Sequence, residues 1–264
     1  MNARHLWLVP AVCALLYRFD PTPPPSPPQV RDQLVALVGQ NQSAYPACLD
    51  NLRHQNTPGY RSRNVLAALS SGGSSFLLRQ NQGPISETRA PYDLAIDGPG
   101  FFLLSDGSLT RDGQFMLREE RMWLISRPDL CLMGQNGQPI TLRADFCDIT
   151  ILADGRVTGT LLNGDGKPQS IGQIGLVRVA YPEAMKYQHP CLLATPQSGP
   201  MSPPATPGTN ALGVLAQGYL EMANVDPIEQ LELASGLRRY AGLLGEPGPS
   251  TTIPQPSSVA EPAR

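Results

Sequence analysis

Three histidines, five cysteines and a scatter of carboxylates are the residues that could do chemistry in this chain of 264. Cys48 and His54 stand six apart, and a histidine that takes a thiol proton makes a nucleophile. No local nucleophile signature surrounds them, so the spacing predicts no catalytic pair. His5, His54 and His189 are too scattered for a His-rich metal site. Cys13, Cys48, Cys131, Cys147 and Cys191 contain no CxxC pair, which reads as small buried apolar side chains. A Cys131–Cys147 bridge is the pairing an oxidising compartment would permit. Gly98-Pro99-Gly100 follows a strand pattern, as a dinucleotide loop does, but it leads into Phe101-Phe102 and offers no helix N-terminus to phosphate. Gly166-Lys167 is followed by Pro168 instead of the hydroxyl residue of a phosphate loop. Asn163-Gly164-Asp165-Gly166 lacks the spacing and terminal Glu of a calcium loop. No two carboxylates are marked out as an acid/base pair. The reading is a chain with no catalytic residue, no cofactor and no metal.

The elements that would carry a site are themselves legible. Lys and Arg number 20 against 22 Asp and Glu, a formal charge of −2, which argues against a nucleic-acid partner and its basic footprint. With 28 Pro and 25 Gly, a mainly helical protein is excluded, because both residues break helices. Leu6 to Tyr17 is a 12-residue apolar run interrupted by Pro10. It is short of the roughly 20 residues of a membrane-spanning helix and is followed by no clean signal-peptide cleavage site. Asp20 to Pro28 reads DPTPPPSPP, an extended linker. The composition predicts a disordered extension over 1–29 and a disordered Pro/Ser-rich tail over 245–264.

Between these ends the periodicity changes. Leu34, Leu37, Val38, Tyr45, Cys48, Leu49 and Leu52 fall on one side of a helix assigned to 30–60, with Pro46 expected to kink or break it. A β-rich body is assigned to 61–218. Its short apolar runs are separated by Asp97-Gly98-Pro99-Gly100, Asp106-Gly107, Asp112-Gly113, Asn136-Gly137, Asp154-Gly155 and Asn163-Gly164, which are hairpin signals. Ile171 to Ala180 is read as the run that closes the β region. A C-terminal helix is assigned to 219–244. Asp226 is its N-cap, Pro227 its first residue and Glu229 the partner in a capping box. Ile228, Leu231, Ala234, Leu237, Ala241 and Leu244 form its apolar stripe. The fold class expected is mainly β: an antiparallel all-β body flanked by N- and C-terminal helices.

Three separated blocks together resemble the bacterial flagellar rod and hook protein family, and its rod members more closely than its hook protein. The first runs from Asp50 to Tyr60, with Asn51, Leu52, Asn56, Thr57, Gly59 and Tyr60 as its signature positions. The second spans Leu94 to Phe102 and Thr110 to Phe115, with Asp97, Gly98, Gly100, Phe101, Phe102, Arg111, Gly113 and Phe115. The third runs from Gln217 to Asp226 and on to Tyr240, with Gly218, Asn224, Val225, Leu231 and Tyr240. The chain departs from the pattern in its residues 1–28, in His54 where Asn is usual, in Pro46, and in a last helix ended early by Gly242, Gly245 and Pro247.

The resemblance implies terminal helices that pair as a coiled coil lining an axial tube, with the β body outside. It implies a non-enzymatic structural subunit of the rod in the periplasm-spanning basal body. Such a subunit would be exported by the type III route and would support motility through helical self- and hetero-assembly. Its partners would be copies of itself and other rod and hook subunits, with no nucleic acid and no small-molecule substrate. The alternative is a diverged paralogue, an exported β-domain binding protein that does not polymerise.

Overall fold

The computed structural model describes residues 43–65, 76–188 and 190–243, with side chains of the last helix described to residue 239. The apolar run at 6–17, the extension 1–29, positions 30–42 of the first helix, the Gly/Ser stretch 70–75, His5, Cys13, His189, Leu244 and the tail 245–264 lie outside the described residues. Helix α1 covers 43–53 and continues through Pro46 without the expected break. Its end is closed by the His54 amide, which donates to the carbonyls of Asp50 and Asn51 at 3.2 Å each. The Thr57-Pro58-Gly59 turn then leads the chain away.

Among the described residues the strands form five small sheets, and every strand pair is antiparallel. β1 (Ile85–Glu87) and β2 (Leu94–Asp97) lie early in the body. β3 (Phe101–Leu103) and β4 (Leu109–Thr110) are joined by the Asp106-Gly107 turn. β5 (Phe115–Arg118), β6 (Arg121–Leu124) and β7 (Arg127–Cys131) make one three-stranded sheet. β8 (Phe146–Ile151), β9 (Arg156–Leu161) and β10 (Pro168–Gln173) make another, in the order β10-β9-β8. β11 (Leu176–Val177), β12 (Lys186–Gln188) and β13 (Cys191–Leu193) join β3 and β4 in the order β11-β3-β4-β13-β12. β14 (Val214–Gln217) pairs with β2, and β15 (Tyr219–Glu221) pairs with β1.

Two local expectations change. Neither Asp97-Gly98-Pro99-Gly100 nor Asp112-Gly113 closes a hairpin: β2 pairs with β14, β3 with β4 and β11, and β5 with β6, so each segment passes from one sheet to another. The β region does not end at Ala180, since β12 to β15 follow. The last two return to the earliest strands, a pairing far along the chain that local pattern does not reveal.

Alternation along β3 decides where the core lies. Phe102 enters one cluster with Leu94, Leu124, Ile151, Val157 and Ile174, meeting Phe115 edge-on at 5.5 Å. Phe101, on the opposite face, enters a second cluster with Leu109, Val177, Met185 and Leu192. Cys131 and Cys191 are buried, Cys147 is half-buried, and the four described cysteines are free, so the Cys131–Cys147 bridge does not form.

Helix α2 spans Pro227–Leu243. Asp226 Oδ1 accepts from the amides of Ile228 (3.0 Å) and Glu229 (3.2 Å), as an N-cap does. Glu229 does not close the expected capping box; its carboxylate makes a two-pronged ion pair with Arg79. The expected fold class is corrected here. The body is a set of small sheets, and no coiled-coil pairing of terminal helices forms among the described residues. Ile228 and Leu231 of the predicted stripe are 70% and 56% exposed. α2 turns Gln230 and Ala234 inward, with Leu233 and Leu237 packing beside them, against a cluster of Ala44, Ala47, Cys48 and Val65. The contact between the described parts of α1 and α2 is a short apolar patch of mostly small side chains with the Asn51–Gln230 hydrogen bond beside it, and the large side chains of Ile228 and Leu231 stay outside it.

Candidate functional site

The three signature blocks, distant in sequence, meet at one buried polar junction. From the end of α1, Asn51 is fully buried. Its Oδ1 accepts from the Tyr60 hydroxyl (3.0 Å) and the Arg63 amide (2.9 Å). Its Nδ2 donates to the Arg63 carbonyl (3.0 Å) and to Gln230 Oε1 (2.9 Å). All the donors and acceptors of the side chain are used. Tyr60 is sandwiched between His54, stacked at 4.7 Å, and the edge of Tyr187 at 4.9 Å. Burial, reinforced by the Asp50 carboxylate and opposed by Arg63, pushes its phenol well above the ordinary range, so it acts as a donor.

Gly59 lets the turn approach. Its φ is +68°, its amide donates to the Glu221 carbonyl at 2.7 Å, and a Cβ there would lie 2.1 Å from the Asp112 amide nitrogen. Gly113 is equally close to its neighbour, with a Cβ placed 1.7 Å from the Leu94 carbonyl oxygen.

Arg111, just past β4, is 2% exposed. Its Nε donates to Glu221 Oε2 (2.7 Å), Nη1 to the carbonyls of Gly98 (2.9 Å) and Gly100 (2.7 Å), and Nη2 to that of Ile96 (3.2 Å). One guanidinium thus holds the whole β2–β3 crossing, whose glycines at φ +110° and +123° turn their carbonyls toward it. Burial lowers its pKa to about 10, with Glu221 pulling the other way, so it stays charged at neutral pH.

From the third block comes Glu221, also 2% exposed. Its Oε1 meets Arg61 Nη2 and the Gly83 amide, each at 3.1 Å. Asn224 Oδ1 accepts from the Ser62 amide (2.7 Å), and its Nδ2 donates to the carbonyls of Arg79 (3.1 Å) and Asn81 (2.9 Å). Gly218, at φ +78°, accepts from the amides of Thr88 and Arg89 through its carbonyl.

Of the remaining signature positions, Leu52, Thr57 and Val225 are half-buried beside the junction. Phe101, Phe102 and Phe115 are core. Asn56, Asp97 and Leu231 are exposed and do not enter it. Tyr240 lies in α2 with its side chain outside the described residues. Sequence reasoning passed over Arg61, Ser62, Glu221 and Gln230. The signal available for Glu221 was a lone charge set among apolar residues, between Leu220 and Met222.

The junction is a tie, not a reaction centre. One carboxylate sits between two guanidiniums, all closely packed and hydrogen-bonded to backbone. No group of three or more metal-ligating side chains forms among the described residues. Cys48 is wholly buried in the α1–α2 cluster; burial, then the Glu229 carboxylate, pushes its thiol up to about 11. That is the reverse of an activated nucleophile. In the folded chain at pH 8 Cys48 is expected to resist iodoacetamide, while Cys147 is alkylated. Mass mapping of the labelled peptides reads this directly, and rapid labelling of Cys48 would reopen the thiol–imidazole pair.

The flagellar basal-body rod protein FlgG of Buchnera aphidicola from Schizaphis graminum is 33% identical to this chain over 159 residues, covering 57% of each. FlgG of Bacillus subtilis is 31% identical over 172 residues, covering 64% of this chain and 63% of its own. The chain is a relative of the flagellar basal-body rod proteins. FlgF of Caulobacter vibrioides, also a flagellar basal-body rod protein, is 27% identical over 202 residues, 69% of this chain and 76% of its own. The chain spans about three fifths of the length of the FlgG relatives. No family model matches it.

Proposed function

We propose that this chain is a non-catalytic structural subunit of the flagellar basal-body rod, located in the basal body, that assembles with other rod and hook subunits and with copies of itself and so supports motility. The likeness to FlgG and FlgF rod proteins carries the reading. The junction is consistent with it: Asn51, Arg111, Glu221 and Asn224 tie the N-terminal block, the body and the C-terminal block into one piece, as a load-transmitting subunit requires. On this reading 30–60 and 219–244 are the axial segments, 61–218 is the body, and 1–29 and 245–264 are extensions. Assembly proceeds by repeated head-to-tail contacts, which generate open helical arrays. Ile228 and Leu231 are apolar side chains that α2 presents outward while Gln230 and the Arg79–Glu229 pair anchor it from behind. No observation favours the non-polymerising paralogue.

Leu231→Asp tests the reading. Because Leu231 is mostly exposed, the purified chain should keep its stability to within about 0.5 kcal/mol. In an assembly the same carboxylate would be buried without a partner. Cells carrying only the variant should fail to spread in soft agar, and their basal-body fraction should lack the protein. Normal swimming and normal incorporation would remove Leu231 from the assembly contact. Normal swimming in a null strain would remove the rod role altogether.

A further inference from the structure

A cleft of about 630 Å³ opens between the outer edge of β10 and the turn that follows β7, lined by Gln135, Asn136, Gln138 and Thr141 on one side and Ile171, Gly172 and Gln173 on the other. β10 is an edge strand among the described residues: β9 lies on one side of it, and no described strand on the other. The two walls are zipped together at one end, where the Gln135 amide donates to the Gln173 carbonyl at 2.9 Å and Gly134 bridges Ile174. Past that point they part.

Three features of this edge have no role in the fold itself. The strand carries a register shift at Ile171, between Ser170 and Gly172, and bulges of this kind gather at edges and beside sites. Gly172 needs neither a special φ nor the space: a Cβ there would make only ordinary contacts, 3.7 Å from Ile140 Cδ1 and 3.9 Å from Val157 Cβ. This is unlike Gly59 and Gly113, where backbone stands in the way. A glycine that packing does not demand, on the wall of a cleft, leaves room for another backbone to come close. Finally, the edge from Gln169 to Gln173 bears no charged residue, and Pro168 guards only its first position. Edges that must stay single are normally blunted by Lys, Pro or an inward charge.

We propose that β10 accepts an extended, uncharged segment of a partner protein as an added strand in this cleft. Main-chain hydrogen bonds to the free edge supply the affinity, and the side-chain positions of the guest select it. The lining sets the chemistry of the guest. It contains no ionisable side chain, so a charge carried into it finds no counter-ion. The side-chain amides of Gln135 and Gln138 make no hydrogen bond among the described residues and can serve hydroxyl or amide side chains. This surface lies outside the junction and does not depend on the rod reading.

The test uses the full chain and the probe acetyl-Thr-Val-Thr-Val-Thr-Gln-amide, followed by hydrogen exchange and mass spectrometry. Saturable slowing of exchange over residues 168–174 is expected. Replacing the two central residues of the probe with Asp should weaken it by at least about tenfold. Gly172→Pro removes a backbone donor and closes the approach, and should abolish the protection. If that variant does not fold, Thr141→Trp fills the cleft from an exposed position and should do the same. Unchanged exchange at saturating probe overturns the proposal, as does equal protection by the charged probe. Protection of 168–174 that rises with protein concentration and needs no probe assigns the edge to a second copy of the chain, and also overturns it.

Discussion

Glu221→Ala should lower the stability of the folded chain by about 3–5 kcal/mol, the cost of leaving a buried charge without its partner. Here two guanidiniums are stranded. Arg61 and Arg111 are 5% and 2% exposed, and neither can reach water without opening the contact between the first block and the body. Glu221→Gln keeps the shape but turns an amide donor toward one of two cations, so most of the loss should remain. Urea titration checks both, with the midpoint moving and the slope unchanged. Glu87→Ala is the control. Its pair with Arg89 lies on the surface, where such pairs contribute little, and its midpoint should hardly move. Equal shifts for Glu221 and Glu87 would mean that the junction does not bind the three blocks.

The second large effect is expected at two glycines. Gly59→Ala and Gly113→Ala should each cost several kcal/mol, since the new methyl would meet backbone atoms at 2.1 and 1.7 Å. Backbone, unlike a flexible side chain, cannot step aside cheaply. Gly107→Ala separates this from conformational strain alone. Gly107 has φ +83° but nothing within 4 Å of the added Cβ, so its cost should stay near 1–2 kcal/mol. Thermal midpoints resolve the difference, at about 2–4 °C per kcal/mol for a chain of this size. If all three variants melt together, close approach at Gly59 and Gly113 is not what those residues provide.

Much of the local structure was readable from residue order. The Asp106-Gly107 and Asp154-Gly155 turns sit between paired strands because a three-residue loop ending in a glycine at positive φ joins adjacent strands and needs no distant partner. Asp226-Pro227 starts α2 for similar reasons: an N-cap acts on amides two and three residues away. The β5–β6 turn escaped notice because Glu119 and Glu120 adopt φ of +51° and +59° without a glycine to announce it. The capping box at Glu229 was predicted from a short-range rule and lost to a long-range partner, Arg79. Of the α2 stripe drawn from hydrophobicity, Ala234 and Leu237 turn inward, while Ile228 and Leu231 stay exposed and Gln230 takes a buried place on the same face.

The sequence by itself determined that the chain is β-rich, that turns lie at Asp106-Gly107, Asn136-Gly137, Asp154-Gly155 and Asn163-Gly164, and that three blocks resemble rod proteins. These are matters of backbone preference and composition, which act over a few residues. Only the tertiary structure decided that β14 and β15 return to β2 and β1, that the described helices meet through a small apolar cluster and the Asn51–Gln230 hydrogen bond, and that Arg61, Arg111 and Glu221 form one ion cluster. A charge in a sequence names no partner. Its counter-ion, 110 residues away for Arg111, is chosen by which strands pair, and that choice is made by the whole buried surface at once.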